Sequence, residues 1–192
     1  MSIRQETEYP FEERITAHIG APGLAFTAEF RIPAWCKNPS IKVIGAKDVK
    51  QVQLSDRFQV SATWGPDSKV ELDFPQELTH RMIPDGRYVF DVGPLVFSVP
   101  IQHVATDYRE YKVPGYADQD VVAVNAKWIY PPTFRESDLA AAKVVRRSLP
   151  KGTYPWSEEP SISISATCWN PNPHEDKDLD YATFNSVKLV PM

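Results

Sequence analysis

The chain has little cysteine and no long apolar run. Cys36 and Cys168 are the two cysteines in 192 residues, too few for a disulfide scaffold or a zinc site of four thiolates. We predict that both are buried, unlinked thiols. No apolar stretch approaches the roughly 20 residues that a membrane-spanning helix needs. The first residues lack the apolar segment of a signal peptide. The sequence therefore gives no prediction of the cellular compartment.

Clustered positive charge is also missing. The net charge is -4, and lysine and arginine are scattered, with Arg146-Arg147 as the one basic doublet. A basic patch or stripe is the electrostatic footprint of a nucleic-acid-binding protein. Neither nucleic acid nor a membrane is therefore an expected partner. The 42% of apolar and 24% of charged residues are ordinary for a globular protein.

Helix signals are scarce. The best candidate runs from Ser137 to Lys143, where a serine can cap the first turn and three alanines favour helix. The rest of the chain contains short segments divided by turns, and its 18 prolines and 8 glycines supply the turn residues. The sequence predicts a fold with minimal helix.

Alternation of apolar and polar residues predicts the strands. Such a period of two places one face of a strand in the core and the other in water, which is typical of antiparallel sheets stacked in a sandwich. We predict an all-β fold, an antiparallel β-sandwich with two packed lobes. A more continuous apolar run, Leu95 to Ile101, predicts a central strand covered on both faces. The predicted core positions of the alternating segments are Ile15, Ala17, Ile19, Phe58, Val60, Ala62, Trp64, Val70, Leu72, Phe74, Ile162, Ile164, Ala166 and Cys168.

A turn signal divides the predicted strands into two groups. Strand patterns stop near Met82, and Ile83-Pro84-Asp85-Gly86 is a favourable turn sequence. We predict a first β-sandwich lobe over residues 1–84 and a second over residues 85–192. One continuous β domain is the alternative.

Four short motifs occur in a fixed order along the chain. They are Arg31-Ile32-Pro33-Ala34-Trp35, Trp64-Gly65-Pro66-Asp67, Val92-Gly93-Pro94-Leu95-Val96-Phe97 and Leu189-Val190-Pro191. In this order the set resembles the C-terminal β-sandwich region of the β-L-arabinofuranosidase-like glycoside hydrolases. Val92 stands where that family has arginine. In the first motif, Pro33 ends a strand because it has no amide hydrogen, and Trp35 is predicted to be buried over the end of the core.

The resemblance implies a function without catalysis. In the family, a zinc-held cysteine nucleophile and glutamates lie in a helical catalytic barrel, and no segment equivalent to that barrel occurs here. We therefore predict no catalytic, cofactor-binding or metal-binding residue in this chain. The predicted role is an accessory or structural module of a carbohydrate-active enzyme, with a missing catalytic domain or a second copy as its partner. A free-standing carbohydrate-binding module is the alternative, and a self-contained hydrolase is less favoured.

Aromatic residues in proline-containing loops are the candidates for contact with a plant-type glycan. Tyr154, Trp156 and Trp169 can stack on a sugar ring, although packing in the core is the favoured role of the two tryptophans. Glu158 and Glu159 are adjacent, so on a strand their carboxyls point to opposite faces and cannot flank one glycosidic bond. The acidic segment 174–180 is predicted to be a solvated loop rather than a calcium site.

Overall fold

The computed structural model describes residues 1–84, 88–99, 103–113, 117–123, 134–148, 160–171 and 182–191. Within these ranges the secondary structure consists almost entirely of antiparallel strands, with one short helix, α1 (Glu136–Ala141). The predicted all-β fold with minimal helix is thereby confirmed. The strands are β1 (Ser2–Thr7), β2 (Arg14–Gly20), β3 (Ala25–Arg31), β4 (Ser40–Ile44), β5 (Lys47–Gln53), β6 (Arg57–Thr63), β7 (Ser68–Asp73), β8 (Leu78–Met82), β9 (Tyr88–Val92), β10 (Leu95–Ser98), β11 (His103–Glu110), β12 (Ala117–Ala123), β13 (Lys143–Arg146), β14 (Ile162–Pro171) and β15 (Ala182–Pro191).

The chain forms two compact units. The first contains Met1–Arg81 and Val89–Val96, and the second contains Met82–Tyr88 and Phe97–Met192. The predicted boundary between residues 84 and 85, and the alternative of one continuous domain, remain predictions.

The strands β1 to β7 of the first unit form two sheets. A four-stranded sheet has the order β1-β2-β7-β4, and a three-stranded sheet has the order β3-β6-β5. Their strand pairings are antiparallel, with β2 and β7 in register from the Arg14–Asp73 pair to the Ile19–Ser68 pair. The buried sides of both sheets contribute to one hydrophobic core, which is the arrangement of a β-sandwich.

The core of the first unit follows the predicted alternation. On β6, Phe58, Val60 and Ala62 are buried while the residues between them are half-exposed. Trp64, just after β6, is also buried. Alternating buried residues of β2 and β7 form the opposite side of the core. The buried residues of the whole core are Ala17, Ile19, Ala21, Ile32, Cys36, Phe58, Val60, Ala62, Trp64, Val70, Leu72 and Phe74.

A buried serine fixes the turn that leads into β7. Ser68 is fully buried; its Oγ accepts a hydrogen bond from the Gly65 amide at 2.8 Å and donates one to the Gly45 carbonyl oxygen at 2.9 Å. Gly45 has a φ of 75°, a left-handed conformation that glycine adopts without a Cβ clash. The hydroxyl thereby satisfies backbone groups of two different turns.

A further sheet has the order β13-β14-β15-β10-β9-β8. Its longest ladder joins β14 to β15, with pairs from Ile164–Leu189 to Pro171–Ala182. The predicted apolar face of β14 is confirmed, because Ile162, Ile164, Ala166 and Cys168 are all buried. The continuous apolar run at β10 is not covered on both faces, because burial alternates from Leu95 to Ser98. That strand therefore has one inner and one partly open face.

The helix α1 begins two residues before the start that a Ser137 cap predicts, and its cap is different. Arg135, not Ser137, is the N-cap residue. A carboxylate oxygen of Asp138 accepts hydrogen bonds from the Arg135 amide at 3.1 Å and from the Arg135 guanidinium at 3.0 Å. The carboxylate at the third helical position accepts from the amide of the N-cap residue, whereas a serine cap would accept from an amide inside the first turn.

Candidate functional site

The residues predicted to contact a glycan do not form a described site. Tyr154 and Trp156 lie outside the described residues, as do Glu158, Glu159 and the acidic segment 174–180. Trp169 lies on β14, where its backbone is opposite Phe184 of β15. The role of these aromatic side chains in sugar contact therefore remains a prediction.

Trp35 covers the end of the first core, although it is less buried than the sequence predicted. It is half-buried and packs against the core cluster, with its ring edge-on to Phe74 at a centroid distance of 6.5 Å. A short turn holds it there, because the Cys36 amide donates to the Pro33 carbonyl oxygen at 3.0 Å. The strand stop at Pro33 leads directly into this turn, and the ring stays partly exposed.

A charged network lies on the outer face of β3 and β6. Arg57 donates to Glu29 at 2.9 Å and to Asp56 at 2.8 and 3.0 Å, and Gln59 donates to Glu29 at 2.7 Å. The Gln59 amide and the Arg57 guanidinium hold the pKa of Glu29 below its usual value. Arg57 likewise lowers the pKa of Asp56. At neutral pH these carboxylates are therefore ionised, and they accept hydrogen bonds from neighbouring side chains.

The carboxyl groups with shifted pKa values do not suit acid catalysis. A glycosidase acid must remain protonated near neutral pH, which requires a raised pKa. In the described ranges, the pKa shifts of carboxyl groups, at Glu29, Asp56 and Asp138, are all downward. The Arg135 guanidinium is the main cause of the lowered pKa of Asp138. These three groups can accept hydrogen bonds and pair with cations, but they are poor proton donors.

The described residues also contain no cluster of metal-binding side chains. No cluster of three or more histidine, cysteine, aspartate or glutamate residues that could hold a metal ion occurs among them. His18 interacts instead with a single carboxylate, with its Nε2 atom 3.1 Å from Glu6 Oε2. No helix in the described part of the chain is long and apolar enough to cross a membrane.

Both cysteines are buried and neither forms a disulfide, as predicted. Burial is the main cause that raises the pKa of the Cys36 thiol, and it also raises the pKa of the Cys168 thiol. A raised pKa lowers the thiolate fraction, and the thiolate is the reactive form. The two thiols therefore behave as small core residues.

The two-stranded sheet of β11 and β12 exposes apolar residues to solvent. Tyr108 is 64% exposed, and Val121 and Val122 are 61% and 65% exposed. The ladder runs from the His103–Ala123 pair to the Glu110–Ala117 pair, with an irregularity between Asp107 and Arg109. An isolated two-stranded ribbon is marginally stable in water, and large exposed apolar residues often mark a contact surface.

Comparison with known protein families found a match for the first part of the chain. Residues 1–76 match the family model of the β-L-arabinofuranosidase GH127 middle domain. The match spans β1 to β7 and ends just after Phe74, so it contains the four-stranded and the three-stranded sheet. The comparison with curated protein sequences found no match.

Solved structures extend the likeness to nearly the whole chain. A GH127 β-L-arabinofuranosidase from Geobacillus stearothermophilus T6 is similar over 98% of this chain and 27% of its own length, with a TM-score of 0.57 and 15% identity. A second GH127 β-arabinofuranosidase is similar over 98% of this chain and 28% of its own length, with a TM-score of 0.52 and 15% identity. At such identity the likeness shows the fold alone.

The chain thus spans little more than a quarter of the length of these enzymes. The resemblance expected from the four ordered motifs is confirmed, and the family match places residues 1–76 in a region described as a middle domain. Residues 1–76 are therefore similar in sequence to the GH127 middle domain, and the chain is similar in fold to one part of the GH127 β-L-arabinofuranosidases.

Proposed function

We propose that this chain is a non-catalytic, structural β-sandwich module of a carbohydrate-active enzyme of the GH127 type. The observation that carries the proposal is the unequal coverage of the likeness, which is 98% of this chain but 27–28% of the solved enzymes. The module would brace a catalytic domain or line its rim. Its substrate class would be that of the parent enzyme.

The chemistry of the described carboxyl groups supports this role. Glu29, Asp56 and Asp138 have lowered pKa values, and each is engaged by an arginine. A retaining or inverting glycosidase needs one carboxyl that stays protonated and a second that is available to the sugar or to water. A lowered pKa means that none of these three carboxyls stays protonated near neutral pH.

The exposed ribbon supports a role that includes a partner. Val104, Tyr108 and Val122 are more than half exposed on β11 and β12. Contact with another domain would remove such side chains from water and stabilise a sheet of two strands. A module that braces a larger enzyme requires a surface of this kind.

An activity assay tests the proposal directly. The purified chain should not hydrolyse an aryl β-L-arabinofuranoside, while the Geobacillus GH127 enzyme serves as the positive control. Deleting the corresponding segment from that enzyme should lower its melting temperature or its soluble yield, because the catalytic part would lose its support. Turnover by the purified chain that disappears when a single carboxylate is replaced would contradict the proposal.

The same sample tests the carbohydrate-binding alternative. Titration with arabinan-derived oligosaccharides, followed by tryptophan fluorescence, should give no saturable change if the module is structural. A saturable change that Trp156→Ala removes, and that Trp35→Ala leaves intact, would establish a carbohydrate-binding module instead. The matched variant controls for the loss of one indole from the signal.

A further inference from the structure

The edge strand β1 is regular and open. It pairs with β2 through six consecutive residues, from Ser2–Gly20 to Thr7–Ile15, without a register shift. It stands at the end of its sheet, so within the described residues no strand pairs with its outer side. All six of its residues are exposed. A regular edge of this kind presents unpaired amide and carbonyl groups to any strand that can align with it.

Apart from the charged residues Arg4 and Glu6, the strand β1 lacks the usual devices that protect an edge. Lysine, proline and bulges discourage pairing between edge strands, and the segment Ser2–Thr7 contains no lysine or proline. By contrast, the edge strand β5 contains Lys47 and Lys50 and has a register irregularity between them. The two edges therefore differ in their capacity to accept another strand.

The inward-facing row of β1 is not covered by the opposite sheet. Ile3 lies across from Ile19, and Gln5 lies across from Ala17; both β2 residues are buried core members. Paired residues share a face of the sheet, so Ile3 and Gln5 belong to the core-facing side. Ile3 is nevertheless 63% exposed. An apolar residue on the core side thus remains in water at the edge.

The sequence of β1 is complementary to itself in antiparallel orientation. When two copies align with Gln5 opposite Gln5, Arg4 of each lies opposite Glu6 of the other, and Ile3 lies opposite Thr7. Alignment on one residue keeps partners on the same face, as a two-fold axis perpendicular to a sheet requires. Cross-strand pairs of opposite charge stabilise a ladder, whereas like charges destabilise it. Both charged pairs in this alignment have opposite signs.

We propose that β1 pairs with β1 of a second copy of this chain, centred on Gln5. The two four-stranded sheets then form one continuous sheet of eight strands, and the β1 edge of each copy is paired. The contact is isologous, so it closes as a dimer and does not propagate. Main-chain hydrogen bonds supply the contact, and the Arg4–Glu6 pairs select the register. This proposal does not rest on the proposed function.

The charges at this edge are already near one another within one chain. Arg4 Nη2 is 3.6 Å from Glu6 Oε2, and His18 Nε2 is 3.1 Å from the same oxygen. Arg4 and Glu6 are largely exposed, and exposed pairs contribute little to stability. A second copy adds two further Arg4–Glu6 pairs without burying an unpaired charge.

Charge-reversal variants test the pairing by sedimentation velocity over a range of concentrations. The wild-type chain should show a reversible monomer–dimer equilibrium. Arg4→Glu and Glu6→Arg should each weaken it by about tenfold or more, because each variant replaces both opposite-charge pairs by like-charge pairs. Lys69→Glu, an exposed charge reversal on β7, serves as the matched control and should leave the equilibrium unchanged.

An equimolar mixture of the two variants separates pairing from misfolding. In a mixed dimer, the glutamate introduced at position 4 of one variant lies opposite the arginine introduced at position 6 of the other. The unchanged Arg4 and Glu6 lie opposite each other, so dimerisation should return to nearly the wild-type strength.

Hydrogen exchange of the wild-type chain provides a second readout. Amides of Ser2–Thr7 should gain protection as concentration rises, while those of Lys47–Gln53 should not. A monomer at every concentration, or a dimer that both variants retain, would overturn the proposal.

Discussion

The indole of Trp64 stacks on the ring of Phe26, with ring centroids 5.4 Å apart. Its Nε1–H donates a hydrogen bond to the Phe26 carbonyl oxygen at 3.1 Å. Trp64 is 1% exposed, so its polar atom would be buried without a partner if this carbonyl were absent. The contact joins the end of β6 to β3 by both packing and hydrogen bonding.

Replacing Trp64 by alanine should destabilise the first unit more than the same change at Trp35. Trp64→Ala should cost about 3–5 kcal/mol, the usual loss for a fully buried large aromatic residue. Trp35→Ala should cost about 1–2 kcal/mol, because that ring is only half-buried and its removal leaves a smaller cavity. Urea unfolding of both variants measures the difference. Equal losses would contradict the difference in burial.

Ser68→Ala should cost about 1–3 kcal/mol, because it leaves the Gly65 amide and the Gly45 carbonyl without the buried hydroxyl. Ser61→Ala is the control; Ser61 Oγ lies 2.7 Å from Thr27 Oγ1 on the outer face of its sheet, where water can replace it. Denaturant midpoints should fall clearly for Ser68→Ala and little for Ser61→Ala. A neutral Ser68→Ala variant would show that the two turns do not depend on the hydroxyl.

Gly65→Ala should be more destabilising than Gly23→Ala. A Cβ at Gly65 would lie 2.7 Å from the Gly45 carbonyl oxygen, a backbone atom that cannot move away alone. Gly23 has a φ of 74° but open space around its Cβ position, so its replacement should cost about 1 kcal/mol of backbone strain. Thermal unfolding of the two variants separates a steric clash from conformational strain. A smaller loss at Gly65 would contradict this expectation.

Asp138 should make the second unit sensitive to acid. Its pKa is lowered in the folded chain by the Arg135 guanidinium, whereas an unfolded aspartate titrates near pH ~3.9. The stability from this group is therefore present above about pH 4 and is lost as the pH falls through the folded pKa. Asp138→Asn should be less stable than wild type at neutral pH, and this difference should shrink in acid.

Urea unfolding at several pH values measures the Asp138 effect. Arg135→Gln provides the complementary test, because removing the guanidinium should bring the pKa of Asp138 closer to its usual value and flatten the same part of the pH profile. A gap between wild type and Asp138→Asn that stays constant through the acid range would contradict the assigned cause.

Cys36 and Cys168 should react slowly with thiol reagents in the folded chain. Both are buried, and burial raises both pKa values, so the thiolate fraction and the access of the reagent are low. Titration with an aromatic disulfide reagent should detect both thiols rapidly after denaturation. Intact mass should be the same with and without reduction. A two-dalton increase in mass on reduction would reveal a disulfide.

Hydrophobic alternation was sufficient to predict the strands that form the core. Phe58, Val60 and Ala62 are buried on β6, and Ile162, Ile164 and Ala166 are buried on β14, as the period of two indicates. The pattern is informative in these strands because one face meets a core and the other meets water. The all-β class and its antiparallel character follow from the same signal.

Strands without a buried face were not predicted from the sequence. All residues of β1 are exposed, and the described side chains of β11 are exposed as well, so neither strand shows a core-facing alternation.

The cap of α1 was missed for a different reason. Asp138 can accept from Arg135 only after the chain has turned, and a serine in the segment provides a stronger local signal.

The sequence by itself determined which segments are strands with a buried face, and its four ordered motifs indicated the GH127 likeness. Tertiary structure decided how far each residue is covered, since coverage depends on the elements that lie opposite. Trp35 follows its strand stop as predicted but stays half-buried, and Ile3 lies on a core-facing side yet remains exposed. Side-chain periodicity selects a face, whereas only the packing of strands distant in sequence can cover it.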